Sequence, residues 1–254
     1  MRALRAVLIV TLVGGLLPAP AQAIRYHVDA DAPPGGDGLS WVTAFDSLDD
    51  ATALLLPGDR IWLAEGTYVP GIERVPGDPR SVTFYLPADV RLYGGFAGTE
   101  ATLGQRAGLF DTTILSGELG QPGAADNAYH VVTVEHPGGI PPGGNRIDGV
   151  TIQGGNAADA GLSGGGVRAF NVGLRLENVT LRGNAARNGG GVAAEPGALR
   201  LLHCRVQDNR ATNHGAGVWG RALNLRVYSS TLAGNVARGK GGGAYVHSSL
   251  PEYE

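Results

Sequence analysis

The sequence is poor in cysteine and in charged residues, and each shortage excludes a class of protein. Cys204 is the only cysteine among 254 residues, so no disulfide can form within the chain. Only 17% of the residues are charged and the formal net charge is −3, which does not favour nucleic acid as a partner. The 42 glycines follow no strict three-residue period, which excludes collagen, and the 43% hydrophobic content argues against disorder.

Hydrophobic runs long enough to cross a bilayer are also lacking. The longest such run lies within residues 1–23, where two arginines precede an apolar core and Ala21-Gln22-Ala23 offers a small-residue cleavage site. This order is typical of a secretory signal peptide, although a retained anchor is the alternative. We therefore predict a mature chain that is secreted or exposed on the outer cell surface, with no membrane span.

Glycine is abundant instead, and it punctuates a repeat that follows residue 145. An Asn with Ala two positions later recurs with steps of 28, 25 and 26 residues, at Asn156, Asn184, Asn209 and Asn235. A run of small residues ends in Gly before Val or Ala with steps of 25, 26 and 26, at Gly166, Gly191, Gly217 and Gly243. A fixed period of this length indicates one supersecondary unit stacked on itself.

Two stacked architectures compete for this repeat. The spacing Leu176-x-x-Val179-x-Leu181-x-x-Asn184 matches the leucine-rich repeat, whose return segment is usually helical. The return here is rich in glycine, and each glycine inside a helix costs ~1 kcal/mol. Three short strands joined by turns fit better, which favours one coil of a parallel β-helix with successive strands ~4.8 Å apart.

A β-helix of this register stacks like residues in columns. The inward columns are Val179 with Cys204 and Ser230, and Leu181 with Val206 and Leu232. Cys204 is therefore predicted to be a buried small hydrophobe and not a nucleophile. The four repeated asparagines are predicted to lie at a turn, with side-chain amides bonded from coil to coil.

The N-terminal half carries a different order of motifs. A strand at Tyr26-x-Val28 is followed by Ser47-Leu-Asp-Asp50, which has the form of a capping box before a short helix. We predict that this helix, of about two turns, covers the apolar end of the first coil. Pro57-Gly-Asp59-x-Ile61 then leads through a strand to Gly66-Thr-Tyr68.

This order resembles the opening of secreted bacterial right-handed parallel β-helix proteins of the pectin-lyase-like superfamily. The Gly-Asn-x-Ala and Gly-Gly-Gly-Val units are similar to the repeats of chlamydial polymorphic outer-membrane proteins. The resemblance implies an all-β fold, a right-handed parallel β-helix (solenoid) with a short N-terminal capping helix. We expect a cap and irregular first coils over residues 24–145 and regular coils over 146–254, incomplete at the C-terminus or covered there by another domain or chain.

A calcium site is one interpretation of the turn after the first strand. Its carboxylates are oxygen donors of the kind that Ca²⁺ prefers, and they lie close together in the sequence at Asp29, Asp31 and Asp37. Their spacing does not match an EF-hand, and Asp-Gly with Pro-Pro-Gly is ordinary turn chemistry. No other cofactor is expected.

Candidate ligand-binding residues come from two outward columns. One holds Arg146, Arg175, Arg200 and Arg226, and an acid two positions on accompanies only the first two, at Asp148 and Glu177. We therefore hypothesise that Arg200 and Arg226, with Tyr228, bind an acidic polysaccharide through guanidinium forks and a flat ring. The second column adds Trp219 and Tyr245. The alternative is a solvated arginine column with no ligand.

Catalysis is the competing interpretation. The resemblance implies either a lyase with clustered carboxylates that hold Ca²⁺ beside a basic residue, or a hydrolase with paired carboxylates. Residues 146–249 hold few acids, and salt pairing is the simpler role for Asp148 and Glu177. His214 has no obvious orienting acid. We predict a non-catalytic, structural or adhesin-like protein that contacts acidic polysaccharide or cell-surface glycan, with a polysaccharide lyase or glycoside hydrolase as the alternative.

Overall fold

The computed structural model of the chain describes residues 23–106, 111–121, 123–136, 144–221 and 223–247. Within these residues, one short α-helix and two 3₁₀ turns accompany twenty strands. The helix α1 spans Leu48–Thr52, and the 3₁₀ turns span Pro79–Ser81 and Leu103–Gln105. The strands are β1 (Arg25–Val28), β2 (Arg60–Ala64), β3 (Gly66–Tyr68), β4 (Phe84–Leu86), β5 (Arg91–Phe96), β6 (Thr113–Ser116), β7 (Val132–Glu135), β8 (Asn145–Asp148), β9 (Thr151–Gln153), β10 (Val167–Glu177), β11 (Thr180–Arg182), β12 (Ala185–Ala186), β13 (Val192–Leu202), β14 (Arg205–Gln207), β15 (Arg210–Ala211), β16 (Val218–Arg221), β17 (Leu223–Tyr228), β18 (Thr231–Ala233), β19 (Val236–Ala237) and β20 (Ala244–His247).

The strands form a right-handed parallel β-helix, as predicted. Every strand pair is parallel, and the strands make three sheets of eleven, six and three members. One coil runs along β13, turns into β14 and β15, and returns at β16, where Val218 pairs with Val192. The return segments β12, β15 and β19 are two-residue strands and not helices. The leucine-rich-repeat alternative is therefore wrong.

Each long strand makes two sides of the coil because its backbone bends in the middle. In β10 the bend lies at Asn171, whose φ of 54° is in the left-handed region. In β13 the corresponding residues are Pro196 and Gly197, and the φ of Gly197 is 151°. A residue in the first half of β10 or β13 therefore belongs to a different face from one in the second half.

The core is a stack of aliphatic columns enclosed by the three sheets. Each column repeats one inward position, as in Leu176 beside Leu201 and in Leu181 beside Val206, and all four side chains are fully buried. Cys204 is buried in this core, as predicted, with Sγ 3.3 Å from the Leu176 carbonyl oxygen. Burial raises the pKa of its thiol. Removing apolar surface from water stabilises these coils by roughly 25 cal/mol per Å².

The asparagine ladder is present, with one correction. Asn184 Nδ2 donates to Asn209 Oδ1 at 3.1 Å, and Asn209 Nδ2 donates to Asn235 Oδ1 at 3.0 Å. Asn156 was predicted to continue the ladder, and this prediction is wrong. The register places Gly155 beside Asn184, whose Oδ1 accepts from the Gly155 backbone N–H, while Asn156 Nδ2 donates to the carbonyl of Ala124. This coil has one more residue between its ladder position and the next, so counting from Asn to Asn slipped by one.

The N-terminal helix is shorter than predicted. Helix α1 has five residues, and Ser47 caps it by accepting from the Asp49 N–H at 3.1 Å. The chain leaves the helix after Thr52 and approaches Pro57, which disfavours helical backbone in the residue before it. Leu48 and Ala51 are buried where α1 meets β1 and β4. That α1 serves as a cap for the first coil stays a prediction.

The first and later coils share one core, which extends from Tyr26 to Val218. Residues 1–22 of the predicted signal peptide and the final residues 248–254 lie outside the described ranges. Across those ranges, the search for a helix both long and apolar enough to traverse a membrane finds none.

Candidate functional site

The arginine column is longer than the sequence suggested. In the strand register Arg146 pairs with Arg175, Arg175 with Arg200 and Arg200 with Arg226, as predicted. The same register continues toward the N-terminus through three further arginines, at Arg91, Arg60 and Arg25. One arginine per coil thus follows one face from β1 to β17. We call these seven residues the arginine ladder.

A shallow groove runs beside the arginine ladder because small residues occupy the outward position two places earlier. Gly144, Gly173 and Ala198 hold this position in three successive coils, according to the register of the paired strands. A Cβ on Gly144 would collide with the Gly173 carbonyl, and the φ of Gly144 is 74°, so glycine is required there. The groove has a volume of about 240 Å³ and is lined by Asn145, Gly173, Leu174, Arg175, Ala198 and Arg200. We call it the arginine groove.

The middle of the arginine ladder is neutralised by two acids. Asp148 accepts from Arg146 at 2.8 Å and from Arg106 at 3.1 Å. Glu177 lies 2.7 Å from Arg146 and 2.8 Å from Arg175. Asp148 is fully buried, and its second oxygen accepts from Asn178 at 2.9 Å. These contacts confirm the predicted salt pairing, so neither acid is an unpaired general base.

The two ends of the arginine ladder are not neutralised in this way. Within the described ranges, no acid lies within ion-pair distance of Arg60, Arg91, Arg200 or Arg226. Arg25 lies over the Trp62 ring at 4.2 Å. The ladder and Arg106 together bring eight guanidinium groups against two carboxylates, on a chain whose formal net charge is −3. Positive charge is therefore concentrated on this face.

The five predicted ligand-binding residues fall into two groups. Arg200 and Arg226 are neighbours, and Tyr228 follows on the same strand with 50% of its surface exposed. Trp219 and Tyr245 are neighbours of each other, but they continue the row of Ala193 in the first half of β13. Seven residues and a bend separate that row from Arg200, so the five do not make one site.

His214 has a structural role beside the second group. Its Nδ1 accepts from the Lys240 backbone N–H at 2.8 Å, and its ring stacks on Tyr245 with 4.8 Å between the centroids. In the preceding coil, Asn188 Oδ1 accepts from the His214 backbone N–H at 3.1 Å. The imidazole therefore continues a turn ladder from coil to coil.

The three aspartates of the calcium interpretation act as turn acceptors. Asp29 accepts from the Asp31 N–H at 3.0 Å, and Asp37 accepts from the Thr43 hydroxyl at 2.6 Å and from the Leu39 N–H. The Thr43 hydrogen bond lowers the pKa of the Asp37 carboxyl. In the part of the chain that the structure describes, no three His, Cys, Asp or Glu side chains are grouped to hold a metal ion. The three aspartates therefore form no such group.

A second concave site was missed by the sequence analysis. It has a volume of about 250 Å³ and lies over β4, β7 and β10, under two loops from residues 69–83 and 154–166. Both tyrosines and the histidine that line it, Tyr85, Tyr129 and His130, lie before the regular repeat begins. The adjacency of Tyr85, Thr133 and Arg168 follows from strand pairing and cannot be found by counting a fixed period.

Two solved structures are similar to this chain. The pectin methylesterase from Aspergillus niger is 13% identical, over 92% of this chain and 88% of that enzyme, with a TM-score of 0.39. Pectate lyase Pel9A is 15% identical, with a TM-score of 0.40, over 87% of this chain and 62% of the lyase, so this chain spans less than two thirds of it. No protein-family model matches the sequence, and no curated protein matches it. The β-helix assignment rests on the strand register of the chain itself.

Proposed function

We propose that this chain is a non-catalytic β-helix protein of the cell surface or the extracellular space that binds an acidic polysaccharide along the arginine groove. The observation that carries the proposal is the arginine ladder, with one guanidinium in each of seven successive coils. Parallel strands lie ~4.8 Å apart, so the cations form a regular row. Like charges in such a row repel, and a polyanion laid across the strands would relieve that repulsion.

The chemistry of the arginine groove favours carboxylate or sulfate groups. A guanidinium fork binds such groups through two parallel hydrogen bonds. The small side chains of Gly173 and Ala198 leave room for a polymer beside Arg175 and Arg200. The exposed ring of Tyr228 offers a flat surface to a sugar at one end of the groove. The excess of acidic over basic residues in the whole chain disfavours nucleic acid as the polyanion.

The binding experiment compares polygalacturonate with a neutral galactan as immobilised ligands. Wild-type protein is expected to be retained by polygalacturonate alone, and added salt should weaken the retention because it screens exposed charges. Arg200→Ala with Arg226→Ala should raise the Kd by about tenfold, since two charged hydrogen-bonding groups are lost.

The matched control removes the same charge elsewhere. Arg187 and Arg238 are exposed arginines in the turns that follow β12 and β19, away from the arginine groove. Arg187→Ala with Arg238→Ala should leave the Kd within about twofold of the wild type. Equal losses in the two double variants would refute a specific groove and indicate a general charge effect.

The lyase or hydrolase alternative stays a prediction that the same incubation can test. New unsaturated chain ends would reveal a lyase, and new reducing ends without unsaturation would reveal a hydrolase. Either product would overturn the non-catalytic assignment. In the arginine groove, Asp148 and Glu177 are each bound by two arginines, which gives no support to a free acid or base there.

A further inference from the structure

The second concave site, here called the tyrosine pocket, has a rigid frame. Arg80 from the first loop donates to both carboxylate oxygens of Asp159 in the second, at 2.6 and 3.0 Å. It also donates to the carbonyls of Asn127 and Asn156. Its guanidinium lies 4.5 Å from the centre of the Tyr129 ring. One arginine thus fixes both loops and a lining tyrosine, so the pocket is held open in one shape.

The first loop is ordered by its own hydrogen bonds. Ser81 Oγ accepts from the backbone N–H groups of Arg74 and Val75 at 3.2 and 3.0 Å. The Arg74 guanidinium lies 4.2 Å from the centre of the Tyr85 ring. A wall fixed in this way loses little conformational entropy when a ligand binds.

The pocket combines ring surfaces with uncharged hydrogen-bonding groups. Thr83 and Thr133 lie at its base and share a hydrogen bond of 3.0 Å between their hydroxyls. His130 Nδ1 lies 2.7 Å from the Gly164 carbonyl and must donate to it, because a carbonyl only accepts. In the neutral ring Nε2 is then an acceptor, and no described residue donates to it.

The formal charge of the pocket lining is balanced. Two cations, Arg74 and Arg168, face two anions, Asp78 and Glu135. Arg168 and Glu135 are directly paired with each other. The lining therefore has no net preference for a charged ligand, in contrast to the arginine groove. A balanced site with aromatic rings and hydroxyl partners suits a ligand that has apolar faces and many hydroxyl groups.

We infer that the tyrosine pocket is a binding site for one neutral pyranose unit of a glycan, separate from the arginine groove. A pyranose presents C–H faces to Tyr85 and Tyr129 and hydroxyl groups to Thr133 and His130. Its size matches a cavity of about 250 Å³. The pocket lies over the first half of β10, and the bend at Asn171 separates it from Arg175. This assignment does not depend on polyanion binding.

Saturation-transfer difference NMR tests the assignment with single sugars as probes. The probes are the methyl pyranosides of glucose, galactose, mannose and xylose, each offered to the whole chain, with galacturonic acid as the charged comparison. At least one neutral glycoside is expected to receive saturation, and an excess of polygalacturonate should not suppress the signal. That result would hold even if the arginine groove bound no polymer, so the two proposals can fail independently.

Two pairs of variants locate the binding. Tyr85→Ala should weaken the glycoside by about fivefold through the lost ring contact, whereas Tyr228→Ala, an exposed tyrosine outside the pocket, should not. Leu162→Trp fills the pocket from its rim and should abolish the signal without removing core packing, because Leu162 is 42% exposed. Arg200→Ala should have no effect.

Three outcomes would overturn the assignment. The first is the absence of saturation for every neutral glycoside with the folded wild-type protein. The second is saturation of galacturonic acid alone. The third is an unchanged signal in Leu162→Trp, which would place the sugar elsewhere even if Tyr85→Ala failed to fold.

Discussion

At the scale of single residues, the neighbour two positions along the strand decides what each ladder arginine can do. Arg146 and Arg175 are followed by acids and are held in ion pairs. Arg200 and Arg226 are followed by Leu202 and Tyr228 and have no such partner among the described residues. The same residue type in the same register is structural in the middle of the ladder and available for a ligand at its end.

His130 illustrates how burial changes a side chain's chemistry. Burial lowers the pKa of its imidazole to about 4, with the positive charge of Arg168 acting in the same direction, while the hydrogen bond to Gly164 opposes them. The ring thus stays neutral over the physiological pH range and keeps its Nε2 acceptor. A histidine in the tyrosine pocket therefore behaves as an uncharged hydrogen-bonding group.

This shift predicts a pH-dependent stability. The unfolded chain binds a proton at His130 below about pH 6.5, whereas the folded chain does so only near pH 4, so the native state loses stability as the pH falls between these values. The loss is up to about 3 kcal/mol in the free energy of unfolding. Denaturant unfolding of wild type and His130→Gln over this range measures it, and the variant should show the shallower decline.

The control for this measurement is the exposed His203, replaced by Asn because its backbone φ of 53° suits that residue. His203→Asn should retain the wild-type decline. Equal slopes in wild type and His130→Gln would show that His130 does not carry the effect.

At the scale of elements, the turn ladders hold the coils in register where no disulfide is possible. Asn209 is fully buried, accepts from the backbone N–H of Asn184, and donates to the carbonyl of Leu181 and to Asn235. The strands on either side of this turn have three residues and two residues. Side-chain hydrogen bonds therefore contribute at this corner what long strands contribute elsewhere.

Asn209→Ala is expected to destabilise the fold by at least about 3 kcal/mol, because it leaves several buried polar groups without partners. The matched control is Asn224→Ala, at an exposed position of β17, which should cost less than about 0.5 kcal/mol. Denaturant unfolding followed by far-UV circular dichroism measures both. Similar losses in the two variants would contradict a special role for the ladder.

At the scale of the whole molecule, the coils are unequal although their sequences are alike. Val227 occupies the same inward position as Leu201 but is 42% exposed, whereas Leu201 is fully buried. Val236, in the last two-residue strand, is 59% exposed. In a solenoid each coil is stabilised mainly by its neighbours, so a coil that contacts one neighbour is less stable than one that contacts two.

Hydrogen exchange should therefore vary along the β-helix. We expect the backbone amides of β17–β20 to exchange on the order of a hundredfold faster than those of β10–β14, because local opening costs less where few apolar contacts are lost. Exchange followed by mass spectrometry measures this, with peptides from β5 and β8 as the internal reference. Uniform protection from β10 to β20 would contradict the expected gradient.

The regular coils could be predicted because their signal is local and periodic. The Gly-rich turns, the alternating aliphatic positions and the steps of 25 or 26 residues were sufficient for the parallel β-helix and for the four later arginines. Asn156 shows the limit of that reasoning. Its Asn-x-Ala motif matches the others, but one additional residue in the coil moves Gly155 to the ladder position.

The first coils could not be predicted to the same depth because loops interrupt their period. The ladder arginines follow one another there at intervals of 35, 31 and 55 residues, from Arg25 to Arg146, and no count along the chain relates them. The tyrosine pocket has the same origin, since Arg80 and Asp159 are 79 residues apart and meet only through the folded loops.

The sequence by itself determined the repeated unit, its all-β character and the pattern of inward and outward residues, because each depends on neighbours within one coil. Only the tertiary structure decided which cations are neutralised, which asparagines form the ladder and that Arg80 closes a pocket over Tyr129. Those outcomes depend on which strands lie side by side. Insertions change that pairing without leaving a local signal in the sequence.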